Sequence, residues 1–218
     1  IMASVIFLTA IPMPVLAEGQ EPEMNTPGEE VFLSDLDWEW AYAGIRTDTT
    51  PMYGDKDQVP ANAKKPKKDY RFDGNNVDMY ISYDVNAKMY DYNTLISLEN
   101  TTKVDKGIGT SAASEIVYPL NGEYEKFTVT PGFEVYALTN KNRPSSVEFK
   151  LLGSKTTDDS TQYEELWDSG IVYSSDKGSD RPYFVPSEVQ VSVKDYQYLK
   201  LWVSDAGETG MGGTNPTN

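Results

Sequence analysis

The sequence contains neither cysteine nor histidine, and its 34 acidic residues outnumber its 19 basic ones. Without histidine the chain lacks the usual general base, the base of Ser-His and Cys-His nucleophile pairs, and the imidazole ligands of most zinc sites. A net charge of −15 repels phosphate backbones and argues against nucleic acid as a partner. The missing residue types therefore exclude most of the common catalytic mechanisms for this chain.

Long hydrophobic runs are also absent, since no apolar stretch reaches the roughly 20 residues that a membrane helix needs. Residues 1–17 are apolar as far as Ile11, then carry two prolines and end in VLA. This pattern is typical of the hydrophobic region and cleavage site of a secretory signal peptide. We predict that 1–17 is the remnant of such a peptide, that the mature chain starts near Glu18, and that no membrane span is left after cleavage. Secretion without cysteine implies a fold that does not depend on disulfides.

Residues 18–30 hold five glutamates, two prolines and two glycines, and they are predicted to be a disordered acidic linker. The remaining 31–218 reads as one domain built from short segments of strand-like pattern, with apolar residues alternating at 147–151, 189–193 and 199–203. The predicted strands are 31–36, 79–83, 94–98, 115–120, 124–129, 133–138, 147–152, 166–173, 189–193 and 198–203.

Turn-forming pairs separate these segments, including Asn121-Gly122 and Pro131-Gly132. No segment shows a sustained helical period. The pattern predicts an all-β fold, an antiparallel β-sandwich or jelly roll. Residues 48–93 interrupt the rhythm with prolines, a lysine run at 64–68 and many tyrosines, and they are predicted to form a long loop or hairpin insertion.

The segment SDLDWEWAYAG at 34–44 collects aromatic and carboxylate side chains. In an extended chain Trp38, Trp40 and Tyr42 point to one side. A secreted sandwich can hold a sugar with an aromatic ring against its apolar face and a few polar groups on loops. The same three residues could instead be a core stripe, which is the better interpretation for Trp38, whereas Trp40 and Tyr42 are left open between the two roles.

Four blocks together resemble the NPCBM domain, a family of carbohydrate-binding modules. They are VFLSDLDW, KGIGTSAASEIVYPLNGEYEKFTV, VEFKLLG with LWDSGIV, and YLKLWVSDAG, and they cover most of 31–210 in order and spacing. The resemblance implies a galactose-binding-like sandwich, bearing calcium, that serves as a non-catalytic accessory module of secreted bacterial glycoside hydrolases. It also implies that further domains, a catalytic one among them, are tethered to this module. The final strand of the family pattern is not matched, so the C-terminal strand is predicted to be truncated.

Residue by residue, the family's loop pattern matches this chain at Lys106 and Glu115, while Ser111 stands where the family has histidine. The expected sugar contacts are therefore stacking by Trp40 or Tyr42 and hydrogen bonds from the loop residues Lys106, Ser111 and Glu115. Serine keeps a hydroxyl but loses the reach of an imidazole ring. The expected ligand is a galactose-type sugar on a glycan.

The resemblance implies calcium, which takes oxygen ligands and needs neither histidine nor cysteine. The candidate ligands are Asp35 and Asp37 near the first predicted strand, with Asp205 and Glu208 after the last. No dense Asp-rich calcium loop supports them, and acidic turns on so acidic a chain are often simply solvated.

A glycosidase needs two carboxylates at a suitable separation, one with a raised pKa. Glu115 and Asp168 lie in apolar strand contexts, but each has a simpler structural interpretation, so no catalytic residue is assigned. The alternative to sugar binding is a structural or adhesion sandwich without a sugar site, which Ser111 favours. In either case we expect a secreted or cell-surface protein of a bacterium, Gram-positive in origin.

Overall fold

The protein is described by a computed structural model, in which the architecture is almost entirely β. The residues that the structure describes are 4–13, 29–44, 56–59, 61–72, 76–83, 88–89, 98–99, 101–134, 146–156, 162–174 and 184–204. Within these ranges there is no α-helix, only two single-turn 3₁₀ helices at Leu33–Asp35 and Lys56–Gln58. Accordingly, no helix in the described part of the chain has the length and apolar character of a membrane span.

Two antiparallel sheets face each other. The strands are β1 (Ser4–Met13), β2 (Glu29–Val31), β3 (Trp40–Ala43), β4 (Lys67–Lys68), β5 (Met79–Ser82), β6 (Lys88–Met89), β7 (Leu98–Glu99), β8 (Thr101–Val104), β9 (Ile108–Ser111), β10 (Ser114–Pro119), β11 (Lys126–Phe133), β12 (Ser146–Ser154), β13 (Glu164–Tyr173), β14 (Val189–Ser192) and β15 (Tyr198–Ser204). One sheet has the order β14-β11-β1-β9-β4 with β2 added to β1, and the other has the order β13-β12-β15-β10-β3. Two short ladders, β5 with β8 and β6 with β7, lie apart from them.

The core fills the space between the two sheets. Alternate residues of β12 and β15 are buried there, so the period-two pattern at 147–151 and 199–203 is confirmed as the inner face of the five-stranded sheet. Aromatic side chains of β11 supply the opposite face, and the rings of Phe133 and Phe149 meet edge to face with centroids 6.1 Å apart. The predicted antiparallel sandwich is confirmed.

Several predicted local features have to be corrected. Pro131-Gly132 is not a turn but part of β11, paired with β1. The predicted strand 31–36 is a short strand followed by a 3₁₀ turn, and two residues of the lysine run form β4, paired with β9. Asn121-Gly122 is confirmed as a turn, because both residues have positive φ (55° and 73°).

Residues 4–13, predicted to be part of a signal peptide, form the strand between β9 and β11. Removal of this segment stays a prediction. Of the predicted acidic linker, Glu29 and Glu30 belong to β2, and 18–28 lies outside the described residues.

Candidate functional site

The glycine-rich stretch before β10, predicted as a polar loop, contains the strand β9, whose four residues are all buried. Gly109 makes this possible, because a Cβ at that position would lie 2.1 Å from the carbonyl oxygen of Tyr70. Only a glycine lets the backbone after β4 approach β9 so closely. Tyr70 itself is 38% exposed, so the backbone that lies against Gly109 carries an accessible aromatic side chain.

Charged side chains from three segments meet at the start of β9 and form what we call the Lys106 cluster, made of Asp35, Asp37, Lys68, Asp69 and Lys106. The Lys106 amino group donates to the carboxylates of Asp35 and Asp69, the latter at 3.3 Å. The Lys68 amino group donates to the carbonyl of Leu36 and to the Asp37 carboxylate at 3.3 Å. The hydrogen bond to Asp35 raises the pKa of Lys106. Burial lowers this pKa by a smaller amount, and Asp69 raises it further.

Backbone geometry fixes the cluster against β9. Asp69 has a positive φ of 62°, its amide donates to the carbonyl of Gly107 at 2.8 Å, and its carboxylate accepts the Gly107 amide at 3.0 Å. Aspartate tolerates this left-handed conformation because its short side chain bonds locally. The cluster is therefore held by main-chain contacts as well as by ion pairs.

A half-buried indole lies beneath the cluster. The Lys68 amino group is 4.9 Å from the centroid of the Trp38 ring, and this ring meets the Tyr118 ring edge to face at 6.5 Å. The Tyr118 hydroxyl is buried, and no residue in the described part of the chain is a hydrogen-bond partner for it. Burial, together with the negative charges of Asp37 and Asp69, raises the pKa of Tyr118 strongly, so its hydroxyl stays a neutral donor.

Trp40 and Tyr42 lie on the outer face of the five-stranded sheet, where the structure covers both. Their rings stack on each other with centroids 6.5 Å apart and 12° between planes. They pack with Val117 and with Ala63 from the segment after the second 3₁₀ helix. The expectation that one of them is a sugar platform has to be revised, because neither ring has a face open to a ligand in this structure.

Glu115 is likewise buried, and its contacts differ from those expected of a loop residue. Its carboxylate accepts the Tyr42 hydroxyl at 2.8 Å and pairs with Lys200 at 3.1 Å, and the two charged residues are 1% and 3% exposed. The Lys200 amino group also lies 4.1 Å from the Tyr163 ring centroid and 5.1 Å from that of Trp40. This arrangement gives Glu115 a structural role beneath the sheet surface.

Ser111 is fully buried in β9, and its hydroxyl has no hydrogen-bond partner among the residues that the structure describes. Of the five residues predicted to contact sugar, only Lys106 reaches an accessible site. Asp69, Lys68 and Tyr70 join it there, although the sequence interpretation placed them in an insertion. In the sequence, only the tyrosine and lysine content of 64–70 marks these residues. That content indicates a site only when the pairing of β4 with β9 is known.

The described residues do not by themselves fit a calcium ion. No group of three or more acidic side chains among them is placed to hold a metal, and Asp35 and Asp37 face lysines rather than a vacant cation position. The other two candidates, Asp205 and Glu208, lie outside the described residues. Calcium therefore stays a prediction.

The carboxylate pair considered for hydrolysis is too far apart. Asp168, Lys150, Trp202 and Glu115 are consecutive partners across four strands, which places the Cα atoms of the two acids about 14 Å apart at about 4.8 Å per strand. Burial raises the pKa of Asp168, but hydrogen bonds from Lys150 and the Gly170 amide outweigh it and lower the pKa below its usual value. A general acid needs the opposite shift.

Comparison with solved structures finds relatives of similar fold, among them the following three. The tandem CBM51 modules of Sp3GH98, the family 98 glycoside hydrolase from Streptococcus pneumoniae SP3-BS71, match with a TM-score of 0.53 and 20% identity, over 84% of this chain and 43% of that one. The CBM51-2 and INT domains of ZmpB from Clostridium perfringens, in complex with GlcNAc, match with a TM-score of 0.52 and 21% identity, over 86% and 29%. CBM51 of the Clostridium perfringens GH95, in complex with methyl-galactose, matches with a TM-score of 0.51 and 24% identity, over 84% and 90%.

The chain spans less than half of two of these structures and most of the third. No protein of curated function matches the sequence. The family model described as the NPCBM/NEW2 domain matches residues 29–215. Since this match covers the strands from β2 to β15 and the Lys106 cluster, the chain belongs to the NPCBM/NEW2 domain family.

Proposed function

We propose that this carbohydrate-binding module, which is not an enzyme, recognises a terminal galactose-type sugar and directs a secreted or cell-surface protein to glycans. The proposal is supported by the family, by the fold it shares with sugar-bound CBM51 modules, and by the chemistry of one surface region. The observation that carries it is the exposed side chain of Tyr70, which follows Asp69 of the Lys106 cluster in sequence and whose backbone lies against Gly109.

The chemistry of that region suits a neutral sugar. A tyrosine ring can cover the apolar face of a pyranose, while carboxylates accept from sugar hydroxyls and amino groups donate to them. The lysines are already matched by carboxylates, so no cation remains unpaired within the Lys106 cluster to attract an anionic sugar. Such a shallow site gives weak binding, on the order of 10⁻⁴ M or about −5 kcal/mol, which multivalency in a larger protein would strengthen.

Tyr70→Ala is expected to weaken binding of methyl-galactoside about ten-fold, because it removes the stacking surface without touching the core. Isothermal titration or ligand-observed NMR measures this. Tyr83→Ala is the matched control, since Tyr83 is 50% exposed at the end of β5 and outside the cluster. Equal affinity of the Tyr70 variant and the parent would refute the proposed platform.

Lys106→Ala is expected to weaken the same binding about five- to ten-fold by removing a donor and releasing Asp35 and Asp69. Lys103 offers the control, because it also bridges two surface aspartates, Asp78 and Asp105, and has a comparable exposure. Lys103→Ala should leave affinity unchanged. A similar loss in both variants would point to general electrostatics instead of a local site.

Binding is expected to be constant from about pH 6 to pH 9, because the site has no histidine and Lys106 has a raised pKa. A raised lysine pKa means that the ion pairs contribute fully below the unfolded pKa of about 10.4 and are lost as the pH rises through the folded value. Titrations across this range test the expectation. A midpoint near neutrality would assign the binding to other groups.

A structural or adhesion module without a sugar site is the second candidate. It is favoured by the burial of Trp40, Tyr42, Ser111 and Glu115, four of the five residues expected to contact sugar. A glycan array decides between the two, since this candidate predicts no binding of any glycan above background, even when the module is presented multivalently.

A further inference from the structure

The turn at Asn121-Gly122 joins the two sheets. It follows β10 of the five-stranded sheet and precedes β11 of the other sheet, and both of its residues are exposed. Their φ angles of 55° and 73° lie in the left-handed region, which asparagine and glycine tolerate best. The sequence contains no other Asn-Gly pair. The turn therefore combines an accessible side-chain amide with a backbone nitrogen that no side chain of its own residue shields.

Asparagine is among the chemically thermolabile residues, and a following glycine makes it more reactive. Once the backbone nitrogen of Gly122 has lost its proton to a base in the solvent, it can attack the side-chain carbonyl carbon of Asn121. A bond forms between these two atoms, and the side-chain nitrogen leaves as ammonia with a proton from water. Water then opens the cyclic imide at one of its two carbonyl carbons, which yields aspartate or isoaspartate. Glycine favours this ring closure because it has no Cβ to hinder the attack.

The folded turn opposes this reaction through its backbone hydrogen bonds. The Gly122 amide donates to the carbonyl of Tyr196 at 2.9 Å, so the proton that must leave is held by another segment of the chain. The Asn121 amide donates to the carbonyl of Gln197 at 3.1 Å, and the Leu120 amide donates to the same oxygen at 2.7 Å. The nitrogen of Gly122 can lose its proton and turn towards the Asn121 side chain only after a local opening of these bonds.

The isoaspartate product would not fit the same turn. In isoaspartate the main chain runs through the former side-chain methylene, so the backbone between residues 121 and 122 gains a carbon atom. The two amides then cannot both reach the carbonyls of Tyr196 and Gln197, whose spacing is unchanged. Tyr124 follows two residues later and is part of the core at 5% exposure, so a lengthened turn also displaces a core side chain.

We propose that Asn121 is a self-modification site, which reacts with water to give aspartate and isoaspartate, and that the hydrogen bonds of the turn to residues 196–197 keep it unreacted until the turn opens. Because the products do not revert, modified chains accumulate with repeated opening at the junction of β10 and β11. Asn76 provides a matched comparison within the same chain. It is also exposed and left-handed, with a φ of 51°, but it precedes Val77, whose branched side chain shields the backbone nitrogen.

The unaltered 1–218 chain tests the proposal without any substitution. It is incubated at mildly alkaline pH, once folded and once in urea, and the products at Asn121 and Asn76 are quantified by peptide mass spectrometry. In urea we expect Asn121 to react several-fold faster than Asn76. In the folded chain we expect Asn121 to react about 30-fold more slowly than in urea, because two backbone hydrogen bonds must break first. Equal rates at the two asparagines in urea would overturn the site, and equal rates at Asn121 in both conditions would overturn its protection.

Hydrogen exchange tests whether this turn is the source of the protection. The Gly122 amide exchanges with deuterium when its bond to Tyr196 opens, and the same event releases the nitrogen for attack. We therefore expect the protection factor of this amide to equal the slowing of the reaction in the folded chain, within about three-fold. A larger difference in either direction would mean that another event controls the reaction, and it would overturn the role assigned to the turn.

Discussion

Glu115→Leu is expected to lower the free energy of unfolding by about 3–5 kcal/mol, because it leaves the charge of Lys200 buried without its carboxylate. The side chains of both residues are almost completely covered, so water cannot replace the lost partner. The hydroxyl of Tyr42 loses its acceptor in the same variant. Urea or guanidinium denaturation followed by tryptophan fluorescence measures the change.

The double variant Glu115→Leu with Lys200→Met serves as the control. It removes both charges and replaces them with apolar side chains of similar size, which is often close to neutral for a buried pair. We expect it to recover most of the stability lost by Glu115→Leu alone. A double variant as unstable as the single one would mean that the loss comes from packing rather than from an unpaired charge. Tyr42→Phe should cost about 1–2 kcal/mol in the same assay.

Gly109→Ala is expected to destabilise the domain by about 2–4 kcal/mol and to abolish sugar binding. The added Cβ would lie 2.1 Å from the Tyr70 carbonyl oxygen, and a backbone atom cannot move aside as the end of a flexible side chain can. The segment after β4 must shift away from β9, which breaks the contacts of Asp69 with Gly107.

Gly170→Ala separates crowding from backbone strain. Gly170 has a positive φ of 61° at a bulge in β13, but apart from its chain neighbours no described residue has an atom within 4 Å of a Cβ placed there. This variant should cost only about 1 kcal/mol, from the left-handed conformation, and leave sugar binding intact. Thermal unfolding and galactoside titration of both variants make the comparison, and equal effects would show that the close approach at Gly109 is not rigid.

The sequence pattern predicts the orientation of side chains best where a strand has one buried face. Val147, Phe149 and Leu151 alternate with polar residues, so their inward orientation follows from a period of two. The same reasoning fails for Ile108–Ser111, because a strand buried on both faces has no alternation to read. It also fails for Pro131 and Gly132, whose turn-forming character is overridden by pairing with β1.

The residues of the candidate site likewise divide into those that the sequence identifies and those that it does not. Lys106 could be selected from the sequence because its loop matched a family pattern, but Asp69 and Tyr70 could not, since they lie almost forty residues away and meet β9 only through β4. The sequence placed Trp38, Trp40 and Tyr42 on one side of an extended strand. The stacked rings of Trp40 and Tyr42 agree with that, whereas Trp38 precedes β3 and packs against the core between the sheets. Which face of β3 is covered by other side chains depends on the described residues of 56–68, and these lie apart from β3 in the sequence.

By itself the sequence determined the class of fold, the absence of histidine and cysteine chemistry, and the strongly acidic charge, because these depend on composition and on local periodicity. Only the tertiary structure decided which polar residues face solvent and which are sealed as a buried ion pair. It also decided that the apolar N-terminal segment fills a slot between β9 and β11. The physical reason is that burial and strand pairing depend on contacts between residues far apart in the chain, which local pattern does not encode.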